Sequence, residues 1–532
     1  MRPEPTAKSP KQSLSFATAA WAAALAIFAL SPSTAEDAIR VGTRRELFVD
    51  DYLIARVAAP AELRLHQPER REVALVTDKP WEGNACAYST VFRDGDRIRM
   101  YYGADQYDLK AKDMRGHPSF LCYVESRDGV QWRRPELGLV SFQGSTRNNI
   151  VLGEDTVRIP GVDKLRVDHF AIFKDSNPDC RRGEEYKMTA VGNRALFALG
   201  SSDGLRWKPI SNAPIITMGY FDSKNLAFWD PVNRIYRAYF RDFRNTTSGA
   251  QRSQQAKPDE GHRYVRDIMT ASSTDFIHWS EPEWLRYPGS PDEELYTNQV
   301  APYYRAPHIL MGFPKRYQDR GWSEAMRLLP NREHREARSS VSPRYGTAVT
   351  DAVFMTSRDG LHFHRWGEAF IRPGPLSNNW VYGDNGPTWG MIETPSHVTT
   401  APPEISLYAV ENYWRGDSMN LRRFTIRIDG FVSVNAPLSG GELVTKPLVF
   451  EGSQLELNFS TSAAGSIRLE IQDADGRPVP GFTLGEIPEI FGDAMDYVVP
   501  LRAASRLGDL AGRPVRLRFV MRDADLYAIR FK

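Results

Sequence analysis

The sequence predicts an all-β protein, a five-bladed β-propeller followed by a C-terminal β-sandwich. The first observation is a turn motif, Ser-x-Asp-Gly-x-x-Trp, which recurs with small changes at 126–132, 201–207, 273–279 and 357–363, and in a worn form at 427–432. Asp-Gly favours a tight hairpin turn, because Gly tolerates positive φ and Asp bonds its own backbone. Self-similarity at a nearly even spacing indicates a repeat architecture. Five copies of a four-stranded unit therefore predict five propeller blades. Four unrelated hairpins with common turn chemistry are the alternative.

The second observation is a change of pattern after residue 435. Apolar residues alternate with polar ones over several short runs, beginning with Leu455, Leu457 and Phe459. Period-two alternation with Gly turns between the runs is typical of a small antiparallel sandwich. The predicted domains are a signal peptide at 1–35, a five-bladed β-propeller domain at 40–434 and a C-terminal β-sandwich domain at 435–532.

The N-terminus has the form of a secretory signal peptide. Basic residues precede an apolar run from Phe16 to Leu30, and small residues surround a predicted cleavage site near Ala35. We therefore expect a secreted or periplasmic protein, with an uncleaved anchor as the alternative. No later segment is apolar enough to span a membrane, so the mature chain is expected to have no membrane span.

Composition narrows the functional classes. The chain has 532 residues, enough for two or three domains, and its net charge of +2 gives no electrostatic case for nucleic acid. The three cysteines, Cys86, Cys122 and Cys180, match no zinc motif, and no phosphate-binding loop is present. We expect no metal and no cofactor.

The blades can be placed along the chain. A strand-like run at 45–54 is expected to close the ring by adding a strand to the last blade. The predicted blades cover roughly 80–155, 165–215, 220–290, 295–372 and 380–432.

One face of the propeller is expected to carry the site. The connections between second and third strands are long, at 103–119, 241–265 and 316–348. In an antiparallel blade these loops share an end with the starts of the innermost strands. Long loops on a rigid scaffold are where functional residues concentrate.

Carboxylates at this end are the candidate catalytic groups. Glycoside hydrolysis needs one carboxylic acid to protonate the leaving oxygen and a second carboxylate to attack the anomeric carbon or activate water. The candidates are Asp222, Glu411, Asp168 and Asp384. Further candidates are Glu82, Asp267, Glu294 and Asp351. A turn or cap role is the alternative for each residue taken alone.

Neighbouring residues are candidates for binding the substrate. Arginines could hold a carboxylate or sulfate of an acidic sugar, and aromatic side chains could stack on sugar rings. Ion pairs with the site carboxylates and packing between blades are the alternatives. The predicted substrate-binding residues are His169, Asn225, Arg241, Asn298, Arg316, Tyr382 and Trp414.

The chain resembles secreted bacterial proteins of the glycosyl hydrolase family 32 N-terminal-domain type, which are related to families 43 and 117. The matching stretches are 47–54, 221–225, 295–298 and 445–450, and the similarity extends over nearly all of 40–532. The resemblance implies a propeller-plus-sandwich glycoside hydrolase. The Trp-x-Asn-Asp-Pro-Asn nucleophile motif of family 32 does not occur in this sequence. The candidate site residues are therefore chosen by position and not carried over.

The expected function is a secreted glycoside hydrolase that cleaves a poly- or oligosaccharide with paired carboxylates at the propeller funnel. Asp222 and Glu411 are expected to lie on one face, within about 5–10 Å of each other or of Asp168 or Asp384. A non-catalytic carbohydrate-binding propeller is the main alternative. A structural module that binds a protein through the same face is a third possibility.

Overall fold

A computed structural model describes residues 38–86, 88–109, 115–246, 264–501 and 504–532. The predicted signal peptide lies outside these residues. Strand pairing gives five antiparallel sheets of four to six strands and one ten-stranded sheet, which confirms the all-β fold and the five blades. Within the described residues, no helix is long and apolar enough to cross a membrane.

The blades follow one another along the chain, and each begins with its innermost strand. Blade 1 contains Thr90–Asp94, Arg97–Ala104, Phe120–Ser126 and Ile150–Gly153. Blade 2 contains Leu165–Lys174, Tyr186–Gly192, Ala195–Ser201 and Lys208–Pro209. Blade 3 contains Leu226–Asp230, Ile235–Asn245, Tyr264–Ser273 and Glu283–Trp284. Blade 4 contains Glu294–Leu295, Ala301–Tyr303, Ala306–Gly312, Lys315–Asp319, Ala348–Ser357 and His364–Ile371. Blade 5 contains Ile392–Thr394, Glu404–Glu411, Asn420–Arg427 and Glu69–Val76.

The repeated motif forms the turn that follows the third strand. In blade 2, the Ser201 hydroxyl accepts the Gly204 N–H at 2.9 Å, and Asp203 Oδ1 accepts the N–H groups of Leu205 and Arg206 at 2.8 Å each. Gly204 has a φ of 76°, which only glycine adopts without strain. The other three clear copies make the same bonds. The motif therefore satisfies its own backbone groups.

The same turns join neighbouring blades. A tyrosine hydroxyl on one blade's second strand donates to the carbonyl of the motif glycine on another blade. The pairs are Tyr101 with Gly204 at 3.0 Å, Tyr239 with Gly360 at 2.8 Å, and Tyr408 with Gly129. The motif aromatic packs at the same place, since the Trp132 ring lies 5.6 Å from the Tyr408 ring, edge to face. The motif aromatic therefore packs between blades 1 and 5 at this junction.

The prediction that 45–54 closes the ring is wrong. The closing strand is Glu69–Val76, which pairs antiparallel with Asn420–Arg427 of blade 5. The run at 45–54 contributes Arg45–Leu47 to the terminal sheet instead. Its apolar side chains explain this, because Leu47, Phe48 and Val49 are all fully buried.

An edge strand of a blade would leave one face of these residues in water. Phe48 packs in the apolar core of the terminal sheet, whereas Leu47 and Val49 pack with blades 4 and 5. The run therefore lies between the terminal sheet and the propeller.

The terminal sheet encloses a single apolar core. Its two longest strands, Leu455–Asp473 and Val515–Phe531, pair antiparallel with irregularities in register. The alternating residues Leu455, Leu457 and Phe459 are fully buried, as the sequence pattern predicts. The remaining strands of the sheet are Ile39–Gly42, Arg45–Leu47, Ile54–Ala58, Glu62–Leu65, Val432–Ala436, Gly441–Thr445, Leu448–Phe450 and Asp493–Val498.

Helices are few. The long connection of blade 4 folds into Glu324–Leu328, Arg332–Val341 and Pro343–Thr347, and the terminal region has Ala504–Leu507 and a 3₁₀ turn at Gly508–Leu510. The fully buried Arg338 fastens the blade 4 helices to the propeller. Its guanidinium donates to the carbonyls of Tyr345, Tyr382 and Tyr413 at 2.7–3.0 Å. This insertion was predicted only as a long loop. Cys86, Cys122 and Cys180 are free thiols.

Candidate active site

A polar cavity of about 110 Å³ lies where all five blades meet. It is on the predicted face, since the loop after the second strand of blade 1 and the helical insertion of blade 4 both reach it. Its lining residues are Ala85, Tyr88, Asp105, Tyr107, Arg166, Asp168, His169, Asp222, Tyr296, Arg344, Tyr345, Tyr382, Tyr413 and Trp414. Because every blade contributes, the cavity lies on the central axis of the propeller.

Asp168, His169 and Asp222 form a chain of three charged side chains with His169 in the middle. His169 Nδ1 lies 2.8 Å from Asp168 Oδ2, and its Nε2 lies 3.0 Å from Asp222 Oδ1. The innermost strand of blade 2 shifts register between Arg166 and Ala171. An irregularity of this kind re-aims side chains and is common beside functional sites. Three predicted site residues are therefore brought together.

Two arginines lie beside these three charged side chains. Arg166 contacts Asp168 at 3.1 Å and Asp222 at 3.4 Å, and Arg241 Nη2 contacts Asp222 Oδ2 at 3.4 Å. These contacts place Arg241 beside the predicted catalytic carboxylate.

The contacts among these three side chains determine the protonation states of His169 and Asp222. Burial disfavours the imidazolium of His169, but Asp168 and Asp222 outweigh it and raise its pKa to about 9. Burial also disfavours the carboxylate of Asp222, yet the hydrogen bond from His169 and the charge of Arg241 hold its pKa well below its usual range. At neutral pH the structure therefore presents a charged imidazolium bound to an ionised Asp222.

The pKa of the Asp105 carboxyl group is shifted in the opposite direction from that of Asp222. Burial and the negative charge of Asp168 raise its pKa to about 7, although Ser119 donates a hydrogen bond to its Oδ1. Asp105 directly follows the second strand of blade 1, one of the positions at which site carboxylates are expected. The residue was nevertheless missing from the predicted set.

Tyrosine and tryptophan rings form an aromatic wall of the cavity. Tyr382 is 7% exposed and donates to the Tyr296 hydroxyl at 2.8 Å, and the rings of Tyr413 and Trp414 stack at 5.3 Å. The indole N–H of Trp414 is buried and has no partner among the described residues. Both predicted aromatic residues, Tyr382 and Trp414, thus line the cavity.

Tyr296 lies among cations. The charged groups of Arg241 and Lys315 lie 4.5 and 4.9 Å from its ring centroid, and that of Arg266 lies at 5.5 Å. Burial and Asp222 act to raise the pKa of Tyr296. Arg241, the Tyr382 hydrogen bond and Lys315 have the larger combined effect and lower this pKa to about 8. No sequence pattern predicts this cluster of charges, because the cations come from different strands.

Asp384 lies outside the cavity lining. It is fully buried, and its Oδ1 accepts the backbone N–H of Tyr413 at 2.9 Å. Burial raises its pKa to about 8, so it is neutral over much of the physiological range. Asp384 thus supports the aromatic wall from behind.

Glu411 does not join Asp222 in the cavity lining, whereas Asp168 does. Glu411 is buried away from the cavity lining, where its Oε2 contacts Arg422 at 2.7 Å and its Oε1 accepts from Asn379 at 2.9 Å. Its position at the end of a second strand led to the prediction. Its side chain instead pairs with Arg422 on the adjacent strand of its own blade.

Arg316 is also engaged elsewhere. It contacts Asp351 at 2.7 Å and Glu293 at 2.9 Å, and it lines a separate cavity of about 630 Å³. The four further candidate carboxylates all pair with arginine: Glu82 with Arg134, Asp267 with Arg244, Glu294 with Arg266, and Asp351 with Arg316.

The two predicted amides have backbone partners. Asn225 Nδ2 donates to the carbonyls of Phe221 and Ser223 at 3.0 and 2.9 Å, and Asn298 Nδ2 donates to that of Tyr239 at 3.3 Å. Neither lines the cavity. In the part of the chain that the structure describes, no group of three or more His, Cys, Asp or Glu is arranged to hold a metal ion.

No protein-family model matches the sequence. The uncharacterized proteins Rv1502 (strain ATCC 25618 / H37Rv) and MT1551 (strain CDC 1551 / Oshkosh) of Mycobacterium tuberculosis are each 26% identical over 126 residues. This region is 24% of this chain and 34% of theirs. The chain therefore spans about a third of the length of the curated relatives it matches.

Similar solved structures include glycoside hydrolases. A family 43 arabinoxylan arabinofuranohydrolase from Bacillus subtilis, in complex with cellotetraose, is 10% identical with a TM-score of 0.37, covering 88% of this chain and 99% of that one. The catalytic domain of a Coprinopsis cinerea GH62 α-L-arabinofuranosidase is 8% identical with a TM-score of 0.37, covering 68% and 99%. The strand pairings establish the fold, and membership of family 32 stays a prediction.

Proposed function

We propose that the protein is a secreted glycoside hydrolase that acts at the central cavity with Asp105 as the general acid and Asp222 as the ionised carboxylate. The observation that carries the proposal is that two carboxyl groups, Asp105 and Asp222, line one cavity in surroundings that shift their pKa values in opposite directions. One pKa is raised to about 7 and the other is held well below its usual range. Two carboxyl groups whose surroundings separate their pKa values are typical of acid and base roles.

Each group has a chemical task. The protonated Asp105 would give its proton to the glycosidic oxygen as the bond to the sugar breaks. The carboxylate of Asp222 would attack the anomeric carbon or remove a proton from water. His169 donates to Asp222 and, with Asp168 on its other nitrogen, keeps that carboxylate ionised and oriented. The aromatic wall supplies apolar surface for a sugar ring.

The volume of the cavity limits the size of the substrate group that it can hold. At about 110 Å³ it is smaller than a usual ligand pocket of about 300–1,000 Å³. We therefore infer that it receives a terminal sugar unit.

The test is a glycan panel scored for both reducing-sugar release and binding. We expect release by the wild type, and losses of about 10²-fold or more in kcat for Asp222→Asn and Asp105→Asn with folding retained. Asp96→Asn is the matched control, because its side chain is 79% exposed and lies away from the cavity. Activity should fall as the pH rises through about 7, because Asp105 then loses its proton.

Two outcomes would contradict the proposal. Binding without release by the wild type would favour the non-catalytic carbohydrate-binding propeller. Full activity of both Asp222→Asn and Asp105→Asn would show that neither carboxyl group takes part in the reaction.

A further inference from the structure

Arg344 is a cation without a carboxylate partner at the cavity wall. It belongs to the last helix of the blade 4 insertion, Pro343–Thr347, and its guanidinium lies 4.6 Å from the Tyr345 ring centroid and 5.4 Å from that of Tyr382. Its Nη2 is 3.5 Å from the Tyr345 hydroxyl, whereas its Nη1 is buried and has no hydrogen-bond partner among the described residues.

The other two cationic residues in the cavity lining already have carboxylate partners. Arg166 contacts Asp168 and Asp222, and His169 lies between the same two carboxylates. Arg241 also contacts Asp222. In the described part of the chain, Arg344 forms no ion pair, and its guanidinium lies beside the rings of Tyr345 and Tyr382.

An unpaired guanidinium beside rings is costly, because the charge gives up water without gaining an opposite charge. The insertion nevertheless holds Arg344 in place. The neighbouring Arg338 donates to the carbonyls of Tyr345, Tyr382 and Tyr413, so the helix that presents Arg344 is tied to the aromatic wall. A fixed, unpaired guanidinium with free donors suits an anionic group that arrives with a ligand.

We propose that the cavity binds a sugar unit that carries an anionic group, a carboxylate or a sulfate, and that Arg344 is the residue that binds this group. The proposal rests on the proposed function for the place of the sugar. It adds the substrate class, which is an acidic glycan. The planar fork of Arg344 matches either oxyanion with two parallel hydrogen bonds.

The experiment measures binding, so that it is independent of hydrolysis. Glucuronic and galacturonic acids, glucose 6-sulfate and galactose 6-sulfate, and the parent neutral sugars would be titrated by calorimetry against the full chain. We expect at least one acidic sugar to bind about tenfold or more tightly than its neutral parent, with the preference reduced at high salt. A preference confined to the uronic acids or to the sulfates supports the proposal and identifies the anion.

Variants assign the contact to Arg344. Arg344→Gln should abolish the preference, and Arg344→Lys should keep part of it, since the charge remains without the fork. Arg147→Gln is the control, because this residue is 79% exposed and lies away from the cavity. Equal binding of acidic and neutral sugars, no binding of any sugar, or a preference that survives in a folded Arg344→Gln would overturn the proposal. An acidic preference without glycan hydrolysis would instead refute only the proposed activity.

Discussion

Tyr296 should ionise well below the other tyrosines because Arg241 lies over its ring. The guanidinium carbon is 4.5 Å from the ring centroid, and the pKa of Tyr296 is lowered to about 8. Replacing Arg241 by Met removes the charge and keeps much of the side-chain length. We expect the pKa of Tyr296 in Arg241→Met to move above its ordinary value of 10.

The size of the change follows from the distance. Two unit charges 4.5 Å apart interact by about 4 kcal/mol at an effective dielectric constant of about 20. One pKa unit corresponds to about 1.4 kcal/mol, so losing this interaction raises the pKa by nearly three units. Lys315 and the Tyr382 hydroxyl remain and lower the pKa, whereas burial and Asp222 raise it.

The assay is ultraviolet absorbance of tyrosinate during a pH titration from 6 to 11. The wild type should show a phase near pH 8 with the amplitude of one of its 22 tyrosines. Tyr296→Phe should lack this phase, and Arg241→Met should shift it above pH 10. Tyr304→Phe should keep the phase, since burial and the Glu393 carboxylate raise the pKa of Tyr304. A phase near pH 8 that persists in folded Tyr296→Phe would refute the assignment.

Two further predictions concern the buried carboxyl groups outside the cavity. The pKa of Asp384 is raised to about 8, so this group makes the wild type less stable as the pH rises from about 4 to 8. The melting temperature of Asp384→Asn should therefore rise relative to that of the wild type between pH 5 and 8. A difference in melting temperature that stays the same over this range would contradict the prediction. Glu411→Gln leaves Arg422 without its carboxylate and should lose about 3–5 kcal/mol of unfolding free energy in urea at pH 7, with unchanged activity per folded molecule. If Glu411→Gln keeps its stability and loses activity, Glu411 returns as a catalytic candidate.

The blades could be predicted from sequence because their signal is local. The bonds of Ser201 and Asp203 close within a few residues, so the motif forms wherever the chain carries it. Ring closure is not local. The strand Glu69–Val76 pairs with residues some 350 positions away, and the more apolar run at 45–54 was a better sequence candidate. That run is buried because two cores meet on it, which no single stretch of sequence reveals.

Only part of the site could be predicted, because a residue's place along a strand indicates its place in the fold but not the direction of its side chain. Asp168, His169 and Asp222 lie just inside or before innermost strands, where position along the strand determines position in the fold. Glu411 and Asp105 both occur at the ends of second strands, but only Asp105 lines the cavity. Successive side chains of a strand point to opposite faces, so a rule based on strand ends alone cannot separate them.

The charges of the cavity depend on one another through Asp168. Its carboxylate faces His169 at 2.8 Å and helps to hold that imidazole charged, while its negative charge helps to raise the pKa of Asp105 to about 7. The imidazolium in turn donates to Asp222 and keeps it ionised. A single carboxylate thus favours a proton on Asp105 and, through His169, disfavours one on Asp222. Opposite pKa shifts of two carboxyl groups in a small cavity follow from these contacts, and acid-assisted cleavage of a glycosidic bond requires such a separation of pKa values.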